Sequence, residues 1–259
     1  MRGRIFRGLI IGTILFAGFA HPLYSLHDAE RFFSDRDPVL LHAEQVLGAI
    51  RESYHRFSVL RAVREVALPS FLVDALELQA MIRDDRFKTV RALVTDGELV
   101  DLLYWQAVIM SDGDIRRGLF LTTLAVMDHW RLGIRAPLVG IIWLPLSLET
   151  NDEFRLRVSR LPKRLFSDTP SDSSGDRDKL QHFFGSAYLT YGPGGREFAD
   201  IAGEFVEWGE SIFVVGGVND PRDVAANRRG EAFAKRLIED PETRPSSFLQ
   251  GELKEQTSH

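Results

Sequence analysis

Three short blocks in the last third of the chain carry the residue types that do chemistry. The first is Asp178-Lys179-Leu180-Gln181-His182-Phe183, the second Glu204-Phe205-Val206-Glu207, the third Asp223-Val224-Ala225-Ala226-Asn227 with Gly230 beyond it. Asp178 and His182 are four apart, Glu204 and Glu207 three apart, Asp223 and Asn227 four apart. Each pair therefore shares one face of a helix, and three short helices can turn these pairs toward a common centre. Three kinds of chemistry fit. His182, Glu204 and Asp223 offer an imidazole nitrogen and carboxylate oxygens, an adequate ligand set for a divalent metal, with Glu207 alongside. His182 backed by Asp178 can act as a general base, with Lys179 holding an anionic substrate. Alternatively, Glu204, Glu207, Asp223 and Asn227 join His182 in a buried polar network that fixes helix packing.

Spacing weighs on this choice. The region has a single histidine and no His-x-x-x-His or Glu-x-x-His pair. Ser186 sits in Gly-Ser-Ala, without the Gly-x-Ser-x-Gly elbow of a nucleophilic serine. Asp178 followed by Gln181 reads as a capping pair for a helix starting at Lys179, and Asp220-Pro221 with Asp223 as a second helix start. The network reading is therefore preferred. Other histidines are less suggestive: His129, between Asp128 and Trp130, reads as an edge histidine at the end of an apolar strand, and His27, His42 and His55 share no spacing. Gly216-Gly217 before a helix start reads as a plain turn.

The order Asp178-Lys179-x-x-His182-Phe183, then Glu204, then Asp223-x-x-x-Asn227-x-x-Gly230 resembles the VanZ-like membrane proteins and the related YfiM-type envelope proteins. The resemblance covers roughly residues 176–238, under a third of the chain. VanZ-like proteins carry these motifs on membrane-spanning helices. Here the segments are short, and Gly192-Pro193-Gly194-Gly195 interrupts them. The resemblance thus implies a helical architecture in a soluble version, rather than a particular reaction.

The elements that must position these blocks follow from periodicity and punctuation. Ala43, Leu47, Ile50 and Tyr54 mark a helix over 38–58, and Pro69-Ser70 opens another that ends at Asp84-Asp85-Arg86. Asp96-Gly97 and Asp112-Gly113 punctuate apolar runs and predict hairpin turns. Strands are expected at 87–95, 98–109, 117–128 and 138–148, with a helix over 98–110 as the competing reading. Thr150-x-x-Glu153 is a capping box for a short helix stopped by Pro162. The Ser, Asp, Gly and Pro stretch at 167–178 reads as a solvated linker. The expected class is α+β, with N-terminal helices and an antiparallel β-meander over 21–166. A small helical bundle at 179–239 follows, then a flexible tail at 240–259.

Composition and the N-terminus set the context. The chain has 259 residues, is 44% hydrophobic and 27% charged, carries formal net charge −5 and contains no cysteine. That excludes a disordered chain, a disulfide scaffold and a cysteine-ligated metal. The acidic balance without a basic tract argues against nucleic acid as partner. Arg2, Arg4 and Arg7, the apolar run Leu9 to Ala20 and Gly18-Phe19-Ala20 match a secretory signal over 1–20. Without cysteine the lipoprotein route is closed. An exported protein is expected, in the periplasm or at the cell surface, with an envelope component as partner and peripheral membrane contact allowed. The expected role is non-catalytic, binding or structural. The alternative is a metal-dependent or acid–base hydrolase acting on an envelope substrate. No cofactor is predicted beyond a divalent metal.

Overall fold

The computed structural model describes residues 37–55, 70–129, 131–136, 140–145, 149–171, 175–192 and 221–249. The expected signal segment, His27, Trp130, the Glu204/Glu207 block, Gly216-Gly217 and the tail beyond 249 lie outside the described residues. In chain order the elements are α1 (Pro38–His55), α2 (Ser70–Arg83), α3 (Phe87–Leu93), α4 (Asp96–Met110), α5 (Ile115–Val126), β1 (Arg131–Ala136), β2 (Gly140–Pro145), α6 (Asn151–Arg160), α7 (Arg177–Tyr191), α8 (Pro221–Glu239) and α9 (Ser246–Leu249).

The fold is helical, which overturns the α+β expectation. The segments read as strands at 87–95, 98–109 and 117–128 are α3, α4 and α5. The reason is clearest at α4. Its residues 99–108 are all buried, so no polar face marks a helical period, and the run of Leu, Val, Tyr and Trp resembles a strand. Asp96-Gly97 is the first turn of this helix rather than a hairpin. Thr95 Oγ1 accepts from Glu98 N–H (3.3 Å) and Glu98 Oε2 accepts from Thr95 N–H (2.8 Å), a capping box that starts α4. Asp112-Gly113 does adopt the positive φ of a tight turn (54° and 83°), but it joins α4 to α5. A Cβ on Gly118 would stand 2.7 Å from Val108, so the turn folds the two helices into close contact. The only β-structure among the described residues is one antiparallel ribbon, in register from Arg131 opposite Pro145 to Ala136 opposite Gly140.

One hydrophobic core runs from Ala43 on α1 to Leu249 on α9 and includes Leu180, Phe183 and Phe184 of α7 and Phe233 of α8. The helix of the last third therefore packs on the N-terminal helices across the expected boundary. Tyr104 of α4 meets Phe184 (6.2 Å between ring centroids) and Phe233 (5.7 Å), and Phe183 stacks on Phe233 (5.4 Å). Residues 240–249 are not a frayed tail. Asp101 of α4 accepts from Ser246 N–H (2.8 Å) and Oγ–H (2.6 Å), while Arg229 donates to the carbonyls of Phe248 and Leu249.

The 167–178 stretch is also no solvated linker where it is described. Asp176 is fully buried, and its carboxylate accepts from Leu165 N–H (3.0 Å), Phe166 N–H (3.2 Å), Thr169 Oγ and Arg222. Gly175 has φ 61°, and a Cβ there would stand 2.4 Å from the Lys163 carbonyl, so glycine is what lets this strip lie on 163–166. This strip sets the starting point of α7, and with it the angular position of every polar residue on that helix.

Candidate functional site

α7 and α8 meet along a seam with an apolar half and a polar half. In the apolar half α8 presents Ala226, Gly230 and Ala234 at four-residue intervals, all buried. A Cβ on Gly230 would stand 2.1 Å from the Phe183 carbonyl oxygen, so the two backbones touch there. That proximity brings the polar side chains of the facing turns within hydrogen-bonding reach.

In the polar half Lys179 is 4% exposed. Its Nζ donates to Asp178 Oδ2 (2.6 Å) and to Asp223 Oδ1 (2.6 Å). His182 Nε2 lies 3.4 Å from the same Asp223 oxygen, and the ring also hydrogen-bonds Asn227. Ser186 Oγ donates to Asn227 Oδ1 (2.9 Å). Burial pushes the His182 pKa down and the Lys179 ammonium adds to this, while Asp223, Asp178 and the Asn227 bond oppose it. His182 is therefore a neutral imidazole at neutral pH.

Five of the residues expected from sequence thus converge: Asp178, Lys179, His182, Asp223 and Asn227. Ser186, which lacks the elbow of a nucleophile, joins them as a hydrogen-bond donor. Glu204 and Glu207 lie outside the described residues, so the full His182, Glu204 and Asp223 ligand set is not on view. Among the described residues no three His, Asp or Glu side chains are grouped to hold a metal ion. Two expected roles are corrected. Asp178 does not cap a helix starting at Lys179, because α7 begins at Arg177, and Asp178 binds the Lys179 ammonium instead. Lys179 is committed to two carboxylates, so it is not poised to hold an anionic substrate.

Gln181, expected as a capping partner, bonds the ring of His129 (3.3 Å). His129 follows α5 rather than a strand, and its Nδ1 lies 2.7 Å from Asp128. That bond raises its pKa to about 8 against the opposing effect of partial burial, with further help from the Asp128 charge, Gln181 and Asp178. A second buried polar group has no counterpart in the sequence reading. Arg157 of α6 is 1% exposed; it binds both oxygens of Glu149 (3.0 Å each) and the carbonyls of Ala125 and Met127 (2.8 Å each). Glu149 also pairs with Arg83. No local signal separates Arg157 from the exposed Arg155 two residues earlier.

No helix among the described residues is long and apolar enough to cross a membrane. Compared with known proteins, the chain matches no family model, no curated protein and no solved structure.

Proposed function

We propose that the chain is an exported, non-catalytic envelope protein, binding or structural in role, in which the Asp178–Lys179–His182–Asp223–Asn227 seam locks α7 to α8. The resemblance of these residues to VanZ-like and YfiM-type proteins supports the envelope setting. The observation that carries the reading is the Lys179 ammonium, buried and bonded to carboxylates on both helices. A cation held this way fixes register between two helices and leaves no free charge for a ligand. Thermal unfolding of His182→Ala tests it. Loss of the buried imidazole from this network costs about 1–3 kcal/mol, which lowers Tm by roughly 2–4 °C per kcal/mol in a chain of this size. An unchanged Tm would remove the basis for the lock.

A second reading has one observation in its favour: a neutral His182 beside a carboxylate is the arrangement of a general base. It requires turnover of a chromogenic ester or phosphoester by the wild-type chain. That turnover must disappear in His182→Gln while Tm holds. Absence of turnover in the wild type, or its persistence in the variant, leaves the packing role alone.

A further inference from the structure

The β1–β2 ribbon differs from the helical body in pattern and in charge. Among the described residues β1 pairs with β2 in a sheet of two strands, and no described helix packs along either strand. Opposite residues of an antiparallel pair share a face and successive residues alternate, so the register sorts the ribbon into two unlike faces. One face carries Leu132 opposite Leu144 and Ile134 opposite Ile142. The other carries Arg131 opposite Pro145, Gly133 opposite Trp143 and Arg135 opposite Ile141, which makes Trp143 the diagonal neighbour of both arginines. From Arg131 to Leu148 these two arginines are the only ionisable residues, in a chain whose formal net charge is −5.

A lone two-stranded ribbon is marginal in water, and an aliphatic face gains from a cover. Charge selects the occupant. Two arginines with no acidic residue in the segment complement an anionic surface, whereas a second copy of the ribbon would set arginines against arginines. Residue type agrees: an aliphatic face backed by tryptophan and arginine is the distribution of an element lying at the headgroup level of a bilayer. Depth follows from the backbone. Six-residue strands fall short of the roughly 9–11 residues a spanning strand needs, and the open edges of a two-stranded sheet carry unpaired backbone groups that hydrocarbon does not tolerate. We propose that the β1–β2 ribbon is an interfacial anchor on an anionic phospholipid bilayer, with the Leu132, Ile134, Ile142 and Leu144 face toward the acyl chains and the Arg131, Arg135 and Trp143 face at headgroup depth. This adds a lipid-contacting surface to the envelope setting proposed above and is independent of the seam lock, which the Tm of His182→Ala tests separately.

The test is co-sedimentation of the full chain with phosphatidylglycerol vesicles and with phosphatidylcholine vesicles at matched ionic strength. Residues 1–20 are identical in every protein compared, so their own lipid affinity cancels from each ratio. Wild type should prefer phosphatidylglycerol. Arg131→Gln and Arg135→Gln should each weaken that binding about fivefold, and together about twenty-five-fold. Ile134→Ser with Ile142→Ser should weaken it about tenfold or more at unchanged Tm. Arg228→Gln, the same charge change at an exposed position of α8, should leave it unchanged. Equal binding by the double arginine variant and wild type overturns the proposal, as does equal binding to the two lipids. A lowered Tm with unchanged lipid binding in the isoleucine variant means that the chain itself covers the aliphatic face. A lipid-free dimer that the isoleucine variant abolishes means that a second copy does. Either result also overturns the proposal.

Discussion

Gly230→Ala tests the α7–α8 seam with a single methyl group. The new Cβ would stand 2.1 Å from the Phe183 carbonyl oxygen and 2.9 Å from its carbon, and both are backbone atoms that cannot swing aside. Restoring an ordinary contact requires α8 to retreat by about 1 Å in a close-packed interior. The polar half of the seam has no slack for that. A Lys179–Asp223 bond of 2.6 Å and a Ser186–Asn227 bond of 2.9 Å would stretch past hydrogen-bonding range. Overpacking costs about 1–3 kcal/mol, and loss of a charged hydrogen bond about 1.5–3 kcal/mol. Helix propensity returns about 1 kcal/mol when alanine replaces glycine. The net expectation is a loss of roughly 2–5 kcal/mol. Gly48 in α1 supplies the control, since a Cβ there meets nothing within 4 Å. Gly48→Ala should stabilise by about 0.5–1 kcal/mol. Urea unfolding, with midpoints compared at constant slope, reads both. The two variants must move in opposite directions. If Gly230→Ala is neutral or stabilising, the helices do not touch at Gly230 and the geometry of the polar network falls with the contact.

The two histidines predict opposite pH dependences. His182 has its folded pKa below the unfolded value near 6.5, so the unfolded chain takes up the proton first, and its contribution to stability is lost as pH falls through 6.5. His129, raised to about 8, contributes stability that is full below 6.5 and is lost as pH rises through 8. Denaturation at a series of pH values should show the acid-side loss diminished in His182→Gln and the loss between 6.5 and 8 diminished in His129→Gln; curves parallel to wild type would refute the assignments. Glu149→Gln leaves Arg157 buried without its counter-charge and should cost about 3 kcal/mol in the same urea assay, a change under 1 kcal/mol being inconsistent with a dry pair. Thr95→Ala removes the hydroxyl that caps α4 and should cost about 1 kcal/mol; no change would mean that Glu98 and water replace it fully.

Local signals in this sequence were legible and contextual ones were not. The Thr150–Glu153 capping box forms as its spacing requires, with Thr150 N–H to Glu153 Oε2 at 2.8 Å, because both partners lie within one turn. The breaks at Asp84 and Gly192 likewise depend only on neighbouring residues. At α4 the local pattern mimics a strand, since a helix enclosed on every side has no polar face to mark its period. The Thr95–Glu98 box marks the helix start, and it outranks Asp96-Gly97 because a cap and its reciprocal carboxylate are harder to meet by chance than a dipeptide.

The candidate site divides in the same way. Four-residue spacing identified Asp178, His182, Asp223 and Asn227, but it did not choose their partners. Asp176, not Asp178, precedes the first turn of α7, and it leaves that turn uncapped because its carboxylate is consumed by 165–169 and Arg222. Asp178 is thereby free to take Lys179, and Lys179 is turned toward α8 rather than toward solvent. Which face of α7 meets α8 is decided at Gly230, where only a residue without Cβ admits the Phe183 carbonyl. The interval Ala226, Gly230, Ala234 was visible in the sequence, and small residues four apart announce close helix contact. Read as a docking stripe, it places Asp223 and Asn227 at the seam, because they flank it on the same turns. The steric feature therefore ranks the polar residues better than their own chemistry does: a carboxylate or an imidazole can serve on any exposed face, but a backbone contact at 2.1 Å has one solution.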